Sequence, residues 1–125
     1  QGNIEYNIQQ YGTSSTDIFN EVAVNPNTND FFAVGSTGGS FASSSNGGQD
    51  IIVSKFSIDN IPLWNMQIGT VGDDFGNGVA LGKDTNELYV VGSLEGMLST
   101  FGETYLDLGD AFLAKMNTSD GSLLW

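Results

Sequence analysis

The stretch Phe31-Phe32-Ala33-Val34-Gly35-Ser36 returns 57 residues later as Leu88-Tyr89-Val90-Val91-Gly92-Ser93. Each hexapeptide opens on four consecutive apolar residues and closes on Gly-Ser. A short run of this kind, bounded by turn residues and rich in β-branched and aromatic side chains, reads as a strand covered on both faces. A lone sheet with one wet face would instead alternate apolar and polar positions. The recurrence says that the sheet containing this strand occurs twice.

Moving outward at the same offset, Val22-Ala23-Val24 returns as Val79-Ala80-Leu81, and Tyr11-Gly12-Thr13 with Asp17 returns as Ile68-Gly69-Thr70 with Asp74. Downstream, Asp50-Ile51-Ile52-Val53-Ser54-Lys55-Phe56 matches Asp110-Ala111-Phe112-Leu113-Ala114-Lys115-Met116 at an offset of 60, so the second copy carries extra residues in the intervening loop. Leu63-Trp64 matches Leu124-Trp125 at an offset of 61, and Tyr6 stands near the corresponding place ahead of the first copy.

Each copy contains four β-type runs, in the second copy near 63–68, 77–81, 87–93 and 111–117. Gly72-Asp73-Asp74, then Gly82-Lys83-Asp84-Thr85-Asn86, a long loop over 94–109, and Ser119-Asp120-Gly121 separate them. These residues tolerate positive φ or bond their own backbone, as turns require. The expected fold class is therefore all-β: two four-stranded antiparallel β-propeller blades within a larger propeller or blade array. Residues 1–61 form the first repeat and 62–125 the second, which ends at the first strand of the next.

Composition agrees. The 17 glycines, 14 aromatics and 2 prolines suit short strands and tight turns, and 39% hydrophobic content suits a folded chain. Fifteen acidic residues against three lysines, with no arginine or histidine, give a net charge of −12. Such a surface repels phosphate backbones and anionic lipid, so nucleic acid and acidic membranes are not expected partners. The chain has no cysteine, hence neither disulfide, thiolate metal site nor cysteine nucleophile, and no histidine to serve as general base. No apolar run approaches the ~20 residues of a membrane-spanning helix, so no membrane insertion is expected. The start at Gln1 suggests a processed or excised product, and the acidic, Ser/Thr/Asn/Gly-rich composition suggests an extracellular or cell-surface setting. Asn117-Thr118-Ser119 is a glycosylation sequon, which makes Asn117 a candidate acceptor.

The order of motifs is similar to a known pattern. Gln-x-Gly-Thr at 10–13 and 67–70, the Asp that follows, Val-Ala-Val, the strand ending Val-Gly-Ser, and Asp-x-x-x-x-Lys before Trp resemble the SBBP-type β-propeller repeat family, from Tyr6 to Trp125. The resemblance implies a blade fold and no shared catalytic or ligand-binding set. Asn25-Pro26-Asn27 and Ile61-Pro62 depart from the pattern and bear on turn geometry.

Several residues are candidates for chemistry. Asp73, Asp74, Asp107 and Asp110 are the densest carboxylates, and Ca²⁺ is the cation they would collect, since it takes six to eight oxygen ligands. Asp17, Asp74, Asp50 and Asp110 also recur at equivalent positions, as turn caps do. Lys55 and Lys115 share a slot five residues after Asp50 and Asp110; residues five apart on a strand face opposite ways, so their carboxylate partners should come from a neighbouring strand or blade. Trp64 and Trp125 are expected to pack between blades or to cover a blade's outer strand, while Phe41, Phe101 and Tyr105 on the loops are candidates for a sugar platform. The function expected from these features is a non-catalytic structural or adhesive module. Its variable loops at 37–49 and 94–109 would do the binding, and its partners would be further repeats, copies of itself, a protein or a glycan. The alternative is a lectin-like or Ca²⁺-dependent carbohydrate-binding module.

Overall fold

A computed structural model of the chain describes residues 2, 8–96 and 109–125. It holds seven strands: β1 (Asp17–Val24), β2 (Phe31–Thr37), β3 (Asp50–Phe56), β4 (Pro62–Ile68), β5 (Phe75–Leu81), β6 (Glu87–Leu94) and β7 (Asp110–Asn117). There is no helix among the described residues. The strands form two antiparallel sheets, β1-β2-β3-β4 and β5-β6-β7. Beyond β7 the chain turns back, and Leu123 bridges Met116 while the Leu124 N–H donates to the Lys115 carbonyl at 2.7 Å. Residues 123–125 thus start along β7 the lane that β4 occupies along β3.

The strand read as the first of the second repeat, β4, is by hydrogen bonding the last strand of the first sheet. A tight turn accounts for this. The Asn60 N–H donates to the Ser57 carbonyl at 2.9 Å, the Ser57 N–H donates to the Ile61 carbonyl at 2.9 Å, and Asn60 takes a φ of 62°. That geometry folds β4 straight back onto β3, so the sequence period and the sheet are out of phase by one strand.

The two sheets share one register. Val22 opposes Ala33 as Val79 opposes Val90, and Phe31 opposes Phe56 as Leu88 opposes Met116. Even the irregularity repeats, with a register shift between Phe19 and Glu21 and another between Gly76 and Gly78. The extra residue is Asn20 in one copy and Asn77 in the other.

The sheets stack face to face, β5 lying over β1 and β2. Their shared core joins Phe32, Val34, Ile51 and Val53 of the first sheet to Val79, Leu88, Val90, Phe112, Ala114 and Met116 of the second. Burying each such side chain contributes up to about 1.5–3 kcal/mol for the larger ones. The stack covers one face of each sheet. The other face of the first is also buried at Ala33, Ile52 and Phe56, with Tyr11 and Phe19 on Phe56, whereas the outer face of the second is exposed at Val91 and Leu113. The expectation of cover on both faces therefore holds for β2 and β3 and not for β6. Gly76 permits the close approach, since a Cβ there would stand 2.6 Å from the Gly35 carbonyl oxygen and 2.7 Å from Val34 Cγ2.

Polar bonds fix the stacking. The bulge frees Asn20, whose Nδ2 donates to the Gly76 carbonyl at 2.7 Å, and the adjacent Glu21 Oε2 accepts from the Val79 N–H at 2.8 Å. Ser36 Oγ accepts from the Gly76 N–H at 3.2 Å. At the far edge the Trp64 indole N–H donates to the Thr118 carbonyl at 3.1 Å, which puts Trp64 between the sheets as its position in the repeat suggested.

Candidate functional site

The loops that differ between the copies leave one end of the sheets, beside the ends of β2 and β4 and the start of β3. There the chain needs acceptors for backbone N–H groups that have left the ladder, and short carboxylate side chains supply them. Asp17 accepts from the Thr13 N–H at 2.6 Å and from the Thr13 and Thr37 hydroxyls. Asp74 repeats the arrangement: it accepts from the Thr70 N–H at 2.5 Å, from the Thr70 hydroxyl at 2.9 Å and from the Glu95 N–H at 3.1 Å. In both copies the threonine hydroxyl also accepts from the N–H two residues on, Ser15 and Gly72.

The same constellation titrates differently in its two settings. Burial pushes the Asp17 carboxyl up, but the bonds from Thr37 and Thr13 outweigh it and hold the group below its ordinary value. Asp74 is fully buried, and there desolvation dominates; the bonds from Thr70 and Glu95 oppose it, the charge of Asp50 adds to it, and the group lies above its ordinary value.

Asp50 and Gln67 form the centre of this end. Asp50, at the head of β3, has no exposed surface, and its Oδ2 accepts from the Asn46 N–H at 3.0 Å and from Gln67 Nε2 at 2.7 Å. Its Oδ1 lies against the α-carbon of Gly69, where an added Cβ would be 1.8 Å away, and accepts no hydrogen bond among the described residues. Gln67 also ties down the 38–49 loop. Its Oε1 accepts from the N–H groups of Phe41, Ala42 and Ser43, and its Nε2 donates to the Gly39 carbonyl at 2.9 Å. Nothing in the sequence marked Gln67 as a hub beyond its place in the recurring Gln-x-Gly-Thr.

The four Ca²⁺ candidates are placed as follows. Asp73 and Asp74 are neighbours in one turn but serve different partners, Asp73 Oδ1 accepting from the Gln49 N–H at 2.9 Å. Asp110 begins β7 opposite Leu94, and Asp107 lies outside the described residues. No group of three or more acidic side chains poised to hold a metal occurs among the described residues. Phe41 is half-buried and meets Phe19 edge-on at 6.2 Å, whereas Phe101 and Tyr105 lie outside the described residues. Asn117 ends β7, and its Oδ1 accepts from both the N–H and the hydroxyl of Ser119, the third residue of the sequon.

The lysines sit at the opposite end. Lys55 Nζ is 3.4 Å from Asp30 and Lys115 Nζ is 2.7 Å from Glu87, so each partner lies immediately before or at the start of the adjacent strand. Each ammonium also stands over a ring, Phe32 at 5.6 Å and Tyr89 at 5.9 Å. Asp30 and Glu87 are themselves related by the 57-residue offset, a signal present in the sequence that points to both partners. The expectation of a partner on a neighbouring strand therefore holds, and Asp50 and Asp110 are not the partners. The bond to Glu87 raises Lys115 above its ordinary value, and the bond from Lys115 lowers Glu87.

No protein-family model matches the chain, and no curated protein matches it.

Proposed function

We propose that the chain is a non-catalytic extracellular module, structural or adhesive, whose stacked sheets are blades of the SBBP-type β-propeller repeat within a longer chain or assembly. The observation that carries this reading is the contrast between frame and loops. Strand register, bulge, aspartate cap and lysine tie repeat from one sheet to the other, while the loop after β2 differs from the loop after β6 in length and sequence. Loops of that kind on a repeated rigid frame are where recognition sits. The carboxylates of Asp17, Asp50, Asp73 and Asp74 and the ammonium groups of Lys55 and Lys115 are bonded within the frame, as parts of a scaffold are. Through its loops the module would bind a protein or glycan, and Ca²⁺ is the cation that its acidic turns would take.

The test is binding by the full chain to a glycan array and to extracellular-matrix proteins, with Ca²⁺ and with a chelator. A second protein would carry residues 40–46 replaced by a Gly-Ser segment of equal length. Binding that disappears with the loop supports the module reading, and chelator sensitivity assigns a role to Ca²⁺. Turnover of any bound glycan overturns the non-catalytic reading.

A further inference from the structure

The second sheet is a strand short at its β7 edge. In the first sheet β4 pairs with β3 from Ile51 to Phe56, with Val53 opposite Met66 and Ile51 opposite Ile68. Along β7 the same lane is filled only at its far end, where Leu123 bridges Met116 and Lys115 exchanges backbone bonds with Leu124 and Trp125. From Ala111 to Ala114 no strand lies beside it among the described residues. Backbone groups alternate in direction along a strand, so the N–H and C=O of Leu113 and Ala111 point the same way as those of Lys115, into the open lane. Ala111-Phe112-Leu113-Ala114 carries no proline, lysine or bulge, the devices that close an edge to pairing.

The first sheet shows what such a lane accepts. There Gln67, opposite Ile52, reaches along the strand to Asp50 Oδ2 at 2.7 Å, and Gly69 lets the departing chain pass against Asp50 Oδ1. Asp110, the counterpart of Asp50, is half-buried, and no described residue donates to it. Met66 and Ile68 share a face with Val53 and Ile51. On the second sheet that face carries Leu113 and Val91, 55% and 44% exposed, which the apolar side chains of an added strand would cover. We infer that the Ala111–Ala114 edge binds an extended segment of a partner chain by antiparallel strand addition, the segment having the pattern apolar-Gln-apolar-Gly with its Gln on Asp110. The Gln amide sets a donor against a carboxylate, and the added strand continues the lane that residues 123–125 begin. The partner is a different protein, not a second copy. The chain's other stretch of this kind, Gln9-Gln10-Tyr11-Gly12, departs from the pattern at Gln9 and lies on the first sheet of its own copy. There the Tyr11 ring is 5.0 Å from that of Phe56, and its hydroxyl donates to the Asn60 carbonyl at 3.0 Å.

The probe is a synthetic peptide, Asn65-Met66-Gln67-Ile68-Gly69-Thr70, titrated into the full chain while amide hydrogen exchange is followed by NMR. Saturable binding with new protection at the Ala111 and Leu113 amides is expected. Gln67→Leu in the peptide, or Asp110→Ala in the chain, should weaken binding by about tenfold or more, the effect of losing a hydrogen bond to a charged group. Leu113→Pro should abolish binding, since proline removes an edge donor yet leaves the bonds to β6 in place. Should that variant lose its circular dichroism signature, Asp110→Ala and the Gln67→Leu peptide decide. The chain with residues 40–46 replaced should bind the peptide as the wild type does. No saturable binding, protection confined to the first sheet, or equal binding of the Gln67→Leu peptide overturns the proposal. Loss of peptide binding on replacing 40–46 overturns it as well, whereas failure of the loops to bind glycan or protein counts against the module reading alone.

Discussion

Replacing Gly35 by alanine should be among the most damaging single changes in the chain, and replacing Gly92 should do the same to the second sheet. A Cβ at Gly35 would stand 1.8 Å from the carbonyl oxygen of Ile18, and one at Gly92 would stand 1.9 Å from that of Phe75. A carbon approaches a carbonyl oxygen to ~3.3 Å at closest. The strands would therefore have to part by about 1.5 Å beside the bulge, where the ladder is already interrupted. The obstacle is backbone and has no rotamer to yield. Overpacking a core side chain costs about 1–3 kcal/mol, and a rigid neighbour puts this case at the upper end or above it, roughly 3 kcal/mol. That is a large share of the ~5–15 kcal/mol that holds a domain folded. Urea denaturation of wild type, Gly35→Ala and Gly92→Ala measures it, with Gly109→Ala as control, since among the described residues a Cβ there meets nothing closer than 3.8 Å. The control should be neutral or gain up to about 1 kcal/mol from the stiffer unfolded chain. Losses below about 1 kcal/mol in both test variants would refute the reasoning.

Gln67→Leu removes the acceptor shared by Phe41, Ala42 and Ser43, and limited proteolysis should then cut within the 38–49 loop well before the strands unfold; equal resistance in both proteins would count against the hub. The pH dependence has two parts of opposite sign. Asp74, raised on folding, stabilises most below the ordinary carboxylate value of about 3.9 and loses that contribution as pH rises through its higher folded value. Asp17, lowered on folding, stabilises above that value and loses its contribution as pH falls through its lower one. The thermal midpoint should accordingly rise on mild acidification from pH 7 and fall below about pH 3.9, and carboxyl-detected NMR titration should place Asp74 above Asp17. Lys115→Met should lower the midpoint slightly at low salt and by less at high salt, because its partner Glu87 is solvent-facing; a salt-independent loss would assign the effect to packing on Tyr89 instead.

Much of the frame was legible in the sequence because β2 and β3 are buried on both faces, Val34, Ile51 and Val53 against the second sheet and Ala33 and Ile52 on the other side, so apolar residues run consecutively there. What the pattern leaves undetermined is which sheet a terminal strand joins. Pro62–Ile68 reads equally well as an opening or a closing strand, and the turn from Ser57 to Ile61 decides. At the loop end, the aspartates were readable as recurring caps, but Asp50 could not be told from its neighbours without knowing that β4 brings Gln67 beside it. The lysine partners were within reach, because Asp30 and Glu87 recur at the period of the strands they precede.

The offset between sequence period and sheet bears on how such a chain can lengthen. Each period gives its leading strand to the sheet before it and the rest to a sheet of its own, so neighbouring periods are clasped together by β4-type hairpins. Duplication of a whole period would insert one new sheet and supply the fourth strand of its predecessor in the same event. Growth by tandem copying therefore completes each preceding sheet as it adds the next.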